Sequence, residues 1–130
     1  MTHLLKFQLS MKILSECIFV SRKNQCYEKV SYLNILFFRA AGGWVDLITN
    51  QGKKVYRIST NLGCVQPQLN PSVFVRVSRK HIINIHHVVA VQGNTVFVED
   101  EEILMGIQYK ADLMVRLPIL RTKNITSKED

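Results

Sequence analysis

Short apolar segments separated by turn-forming residues recur along most of this chain. Ile35–Phe38 is a continuous apolar run, which is typical of a strand buried on both faces. Trp44–Thr49 and Lys53–Ser59 instead alternate apolar and polar residues, as half-buried strands do. Further strands are predicted at residues 17–20, 26–30, 73–77, 88–92, 95–99 and 103–107, with hairpin turns at 22–25 and 93–94. The pattern therefore favours a mainly β fold.

Two segments have the spacing of helices instead. In Thr60–Leu69, apolar residues recur on one helical face, although Gly63 and Pro67 disfavour a long helix. Tyr109–Leu117 has the same periodicity, and Pro118 follows it directly. We therefore expect a short helix near residues 60–69 and a C-terminal helix near 109–117.

The length and composition favour one globular domain. At 130 residues, of which 47% are hydrophobic, the chain is long enough to bury a core and too short for a multi-domain enzyme. No apolar run approaches the roughly 18 residues of a membrane span. The apolar opening stretch is interrupted by Lys6 and Lys12 and has no cleavage site, so we expect no secretory signal. Three cysteines without CxxC spacing predict reduced thiols in the cytoplasm rather than a disulfide framework.

The formal net charge of +7 suggests a polyanionic partner, either nucleic acid or an anionic membrane surface. Between Arg22 and Lys80 there are ten Lys and Arg residues and only two acids, Glu28 and Asp46. Four of the ten acids are contiguous at Glu99–Glu102. Charge alone leaves a scattered, solvated surface as an equal alternative.

Residues for catalysis are sparse. His81, His86 and His87 are close in sequence, but no Asp or Glu lies between Asp46 and Glu99 to orient a histidine or complete a metal site. The glycine pair at residues 42–43 lacks the context of a phosphate-binding loop. We therefore predict no enzyme, no catalytic residue, no metal site and no cofactor.

The most informative segment is residues 74–84, FVRVSRKHIIN, in which a strand leads to a basic turn and an apolar run returns from it. The arginine fork matches the O6 and N7 acceptors of guanine, whereas Lys and His suit phosphate. Considered alone, this turn is equally well explained as a solubilising hairpin tip.

Residues 74–84 also resemble the central signature of LytTR-type DNA-binding domains, roughly F-x-R-[IV]-H-R-S-[YF]-[IV]-V-N. Three further blocks occur in the family's order. They are ILFFRAAGGWV at 35–45, STNLGCVQPQL at 59–69 and ILMGIQYKADLMVRL at 103–117. The resemblance runs from about Cys17 to Leu117 and divides the chain into a lead-in (1–16), a LytTR-like domain (17–117) and a polar tail (118–130).

The resemblance implies an elongated fold of small antiparallel sheets, whose edge loops enter successive major grooves of duplex DNA. It also implies three contact segments. The first is the loop containing Gly43, Trp44, Val45 and Asp46; the second is the turn with Ser78, Arg79, Lys80 and His81, preceded by Arg76; the third is Gln108, Tyr109 and Lys110.

The chain departs from the family pattern at several of these positions. Ser78 occupies the position of the usual His, Lys80 that of Ser, and Gly43 that of Asn. The common Ser-Arg of the third segment is replaced by Gln108-Tyr109. Arg79 matches the family pattern, and we therefore give it the most weight among the predicted contacts.

The resulting prediction is a sequence-specific regulator of transcription that binds double-stranded DNA in the cytoplasm. Dimerisation on repeated half-sites and a separate sensor or regulator protein are further expectations. The alternative is a LytTR-like fold that serves as an interaction module for a sensor or membrane partner. RNA binding is compatible with the charge, but the strands lack an RNP-like aromatic pair. Trp44 is expected to be half-buried, and Asn84 to have a structural role.

Overall fold

The computed structural model describes residues 16–51 and 54–123. The strands are β1 (Cys17–Arg22), β2 (Cys26–Ser31), β3 (Ile35–Ala41), β4 (Trp44–Thr49), β5 (Val55–Ile58), β6 (Phe74–Ser78), β7 (His81–Asn84), β8 (Val88–Gln92), β9 (Thr95–Val98) and β10 (Glu101–Leu104). The helices are α1 (Leu62–Val65) and α2 (Ile107–Arg116), and short 3₁₀ turns lie at 23–25, 32–34, 66–68 and 85–87. The predicted lead-in therefore falls almost entirely outside the described residues, as do Lys53 and the end of the tail.

A five-stranded antiparallel sheet, in the order β5-β4-β3-β7-β6, forms the centre of the fold. Strand β3 lies in its middle, and Ile35 to Phe38 are all buried. The pairing of β3 with β4 contains a register shift between Ile35 and Phe37. Because a bulge interrupts the alternation of faces, Leu36 and Phe37 both face one core while Ile35 and Phe38 face the other.

Two hydrophobic cores lie on the opposite faces of this central sheet. The first core is closed by the β1–β2 hairpin and α1, and includes Val20, Val30, Tyr32, Leu47, Leu62 and Leu69. The second core is closed by the sheet β10-β9-β8 and α2, and includes Val75, Val77, Val96, Val98, Ile103 and Leu113. The central strands thus lie between two smaller layers. The predicted fold of small antiparallel sheets is confirmed.

The predicted hairpin turns are confirmed. Arg22 pairs with Cys26 across the tip of the first hairpin, and Gln92 pairs with Thr95 across the turn between β8 and β9. Gly93 has φ +61 in that turn, a conformation that glycine adopts without a Cβ clash.

The helices differ in length from the sequence prediction. Only Leu62–Val65 is α-helical in the first segment, because Pro67 lies within the 3₁₀ turn that follows. At the start of α1, the Oδ1 atom of Asn61 caps the helix by accepting a hydrogen bond from the Cys64 amide at 2.9 Å. The strand predicted at 103–107 is wrong at its end: it stops at Leu104, and Ile107 begins α2. The Gly106 amide, which donates to the Val77 carbonyl at 2.8 Å, joins the start of that helix to β6.

The buried amide of Asn84 ties several of these elements together, which confirms its predicted structural role. Its side chain is 0% exposed. The Nδ2 atom donates to the carbonyls of Tyr32 at 2.8 Å and Ile35 at 2.9 Å, and Oδ1 accepts from the His86 amide at 2.9 Å. One side chain therefore joins the start of β3, the end of β7 and the turn that leads to β8.

Replacing Asn84 should destabilise the whole domain. In Asn84→Ala, two buried carbonyls and one amide lose their partner, so we expect the free energy of unfolding to fall by about 2–4 kcal/mol. Urea denaturation measures the change. The matched control is Asn50→Ala at an exposed position, which should change stability by less than about 0.5 kcal/mol. Equal effects of the two substitutions would contradict the role given to Asn84.

Candidate nucleic-acid interface

The three predicted contact segments meet at one end of the central sheet. Strand β3 ends where its antiparallel neighbours β4 and β7 begin, so the loop at residues 42–43 lies beside the turn at 79–80. The Ala40 amide donates to the Lys80 carbonyl at 2.9 Å, which joins the two directly. The bond from the Gly106 amide to Val77 brings the first turn of α2 to the same end. We call this region the basic end.

The turn between β6 and β7 is held from inside by Arg76. Its Nε atom donates to the Ser78 carbonyl at 3.1 Å, and Nη2 donates to the Arg79 carbonyl at 2.8 Å. The Ser78 hydroxyl oxygen accepts from the Lys80 amide at 3.1 Å. The Arg76 side chain therefore stabilises the backbone of the turn, while Arg79 and Lys80 are exposed at its tip.

His81 lies at the inner side of this turn and is half-buried. Its Nδ1 atom is 2.9 Å from the Ser78 hydroxyl oxygen. Burial lowers the pKa of the His81 imidazole below its usual value, and the positive charges of Arg39 and Lys80 lower that pKa further. The neutral imidazole is therefore favoured at pH 7, and the Ser78 hydroxyl is a hydrogen-bond partner for it.

The third segment is joined to its neighbours by longer contacts. The ring centroid of Tyr109 is 6.0 Å from the Arg76 guanidinium carbon, and Lys110 Nζ is 3.4 Å from the Asn94 Oδ1 atom. Gln108 is exposed, whereas Tyr109 and Lys110 are half-buried. The first turn of α2 thus adds one ammonium group and two polar side chains to the basic end.

The first segment divides into an outer and an inner part. Gly43 is exposed, and Trp44, with 45% of its surface exposed, is more exposed than the half-burial expected from the sequence. Val45 is 0% exposed and belongs to the first core. Asp46 is 5% exposed, and its carboxylate accepts from Arg57 Nε at 2.8 Å and from Arg57 Nη2 at 2.9 Å. Of the predicted contacts, Val45 and Asp46 therefore point inward and support the loop.

Sequence reasoning did not single out Arg57. The alternation in β5 indicates that this residue faces away from buried Tyr56, but its partner depends on the register of β5 against β4. The Arg57 hydrogen bonds hold the pKa of the Asp46 carboxyl below its usual range, and the charge of Arg39 acts in the same direction. Asp46 is consequently ionised at neutral pH.

Metal ligands, membrane-spanning helices and disulfide bonds can be assessed for the described ranges. Within residues 16–51 and 54–123, no group of three His, Cys, Asp or Glu side chains is arranged to hold a metal ion. Neither described helix is both long and apolar enough to cross a membrane. The three cysteines, all of them described, are not joined by disulfide bonds.

Comparison with known proteins decides what kind of domain this is. The family model described as the LytTr DNA-binding domain matches residues 25–117 of the chain. The chain belongs to this family. LytTr domains are DNA-binding domains of transcription regulators rather than enzymes, so DNA binding is favoured over the interaction-module alternative.

A solved structure of similar fold supports the assignment. It is the LytTr DNA-binding domain of a putative methyl-accepting/DNA response regulator from Bacillus cereus, with a TM-score of 0.65 and 14% sequence identity. The alignment covers 80% of this chain and 98% of that chain. At this identity, the likeness establishes that the LytTr fold is shared. No curated protein sequence matches the chain significantly.

The lowered pKa of His81 predicts a loss of stability in mild acid. The folded state disfavours protonation of His81. The contribution of this pKa difference to the free energy of unfolding is therefore fully present above the unfolded-state pKa of about 6.5. That contribution is lost as pH falls from this value through the lower folded-state pKa. His81→Phe removes the titrating group, so its urea midpoint should decline less than that of the wild type between about pH 7.5 and about pH 5. Identical declines would contradict the prediction.

Proposed function

We propose that this LytTr domain binds duplex DNA sequence-specifically and regulates transcription, with the basic end facing the DNA and the Ser78–His81 turn in the major groove. The observation that carries the proposal is the meeting of three separate segments at one end of the sheet. Arg79 and Lys80 are exposed at the centre of that arrangement. The major groove is about 12 Å wide and admits a narrow β element of this kind.

Arg79 is the residue proposed to read a base. Its carbonyl oxygen is held by Arg76, which fixes the backbone of the turn. Within the described part of the chain, no side chain or backbone group is hydrogen-bonded to the Arg79 guanidinium. A guanidinium that is exposed, and mounted on a braced turn, is suited to a bidentate contact with the O6 and N7 atoms of guanine.

The neighbouring cations are proposed to contact phosphates. Lys80 adjoins Arg79 in the same turn, and Lys110 projects from the first turn of α2. Gln108 and Tyr109 supply polar groups in place of the family's usual Ser-Arg, and Gly43 permits close approach of the first loop. Phosphate contacts set the register and supply affinity, whereas the base contact supplies discrimination.

The assembly follows from the kind of target. Many DNA-binding proteins pair on repeated half-sites, so we propose that two copies bind neighbouring half-sites, and that a separate sensor or regulator protein supplies the input. A DNA target also agrees with the cytoplasmic location expected from the cysteines.

Arg79→Ala should reduce both affinity and discrimination. We expect a loss of about 1–3 kcal/mol in binding free energy on a selected site, and relaxed preference at one base position. A site selected from random duplexes with the wild-type protein, followed by titration of single-base variants, measures both. The control is Arg116→Ala, in the last turn of α2, which should leave the base preference unchanged. Wild-type discrimination by Arg79→Ala would contradict the base-reading role.

Lys80→Ala and Lys110→Ala should behave differently from Arg79→Ala. Because phosphates carry no sequence information, each substitution should weaken specific and non-specific duplexes alike and reduce the salt slope by about one unit. Fluorescence anisotropy at several salt concentrations measures the slope. Lys29→Ala, an exposed position on the β1–β2 hairpin, is the matched control. A sequence-dependent loss would contradict the phosphate assignment.

A further inference from the structure

A row of four polar side chains crosses the central sheet near the basic end. Arg57 pairs with Asp46, Asp46 with Arg39, and Arg39 with His81, across β5, β4, β3 and β7. Residues directly opposite each other in paired strands share a face of the sheet. This cross-strand row therefore runs on one face from the Ser78–His81 turn to the edge strand β5.

The buried carboxylate of Asp46 organises the row. Besides its two hydrogen bonds from Arg57, it lies 4.0 Å from Arg39 Nη2. Burying a carboxylate is unfavourable unless charged donors satisfy it, and a paired arginine fork does so in one fixed geometry. The two arginines and Asp46 together retain one positive charge.

The outer surfaces of both arginines stay accessible. The side chain of Arg57 is 57% exposed and that of Arg39 is 40% exposed. Asp46 engages Nε and Nη2 of Arg57, and no group in the described ranges is hydrogen-bonded to Nη1. The fork of Arg57 is thus held from its inner side while its outer amino group faces solvent.

We propose that Arg57, positioned by Asp46, contacts a DNA phosphate beside the groove that the Ser78–His81 turn enters. This inference rests on the proposed function and assigns the flank of the same surface. Strands lie about 4.8 Å apart, so β5 is about 14 Å from β7. Because the major groove is about 12 Å wide, a side chain that starts about 14 Å from β7 lies outside the groove, where backbone phosphates rather than base edges are within its reach.

Acidic side chains next to Arg39 limit the part of the cross-strand row that a phosphate can approach. Arg39 lines a cavity of about 300 Å³ together with Asp100 and Glu101. These acids follow β9 at the end opposite its turn with β8, and their charge repels phosphate. Only the part of the row that faces the basic end is therefore open to a polyanion.

The test compares Arg57→Ala with Arg22→Ala, since Arg22 is also paired with a carboxylate, at 3.8 Å from Glu28, but lies on the β1–β2 hairpin. Loss of one phosphate contact lowers the salt slope by about 0.9. The affinity advantage of the wild type over Arg57→Ala should therefore shrink about 3.5-fold between 50 and 200 mM salt. Phosphate-ethylation interference should show one flanking phosphate that the wild type requires and Arg57→Ala does not.

Asp46→Asn tests the positioning role by the sign of its effect. The substitution raises the net charge by one, so charge alone predicts tighter DNA binding. Loss of the charged partner that orients Arg57 predicts weaker binding and loss of the same interference signal. Tighter binding overturns the positioning role. If Asp46→Asn does not fold, Arg57→Lys replaces it: full wild-type affinity from a lysine that keeps the charge without the fork also overturns it.

The outcomes separate this inference from the function on which it rests. If Arg57→Ala has the same slope as Arg22→Ala while Arg79→Ala loses discrimination, the flank assignment is wrong and the proposed function stands. If the wild-type protein selects no duplex sequence and Arg79→Ala changes nothing, the proposed function itself fails.

Discussion

The buried side chain of Asn84 is the interaction on which the arrangement of this domain most depends. Strand β3 is covered on both faces, so the position of its backbone must satisfy the packing of two cores that form from different parts of the chain. Asn84 joins β3 to β7 and to the turn before β8 through three hydrogen bonds made away from water. An unsatisfied carbonyl at this depth is costly, so alternative registers of these strands are disfavoured.

The position of β3 in turn determines the basic end. Because β4 and β7 both begin where β3 ends, two loops that are distant in sequence become neighbours, and the Ala40–Lys80 hydrogen bond holds them there. Charged side chains at this end have distinct tasks. Arg76 and Asp46 direct their polar atoms inward and fix a turn and an arginine, whereas Arg79 and Lys80 remain exposed. Rigid mounting of exposed cations reduces the entropy lost when a ligand binds them.

The fold distributes the net charge of +7 unevenly over the surface. The exposed acids Glu99–Glu102 surround the turn between β9 and β10, whereas Asn94, at the other end of β9, contacts Lys110 of the basic end. A polyanion is therefore attracted to one end of the second core and repelled from the other. Such asymmetry orients a protein on DNA before any base is read.

The sequence by itself determined the local features: most of the strands, two hairpin turns and the basic turn around Arg79. These follow from alternation, turn chemistry and a motif contained within eleven residues. The tertiary structure alone decided which side chains share a face or a partner. The bulge that turns Leu36 and Phe37 to the same core and the pairing of Asp46 with Arg57 both depend on register between strands. Register is set by packing both faces of β3 at once, and residues far apart in sequence supply that packing.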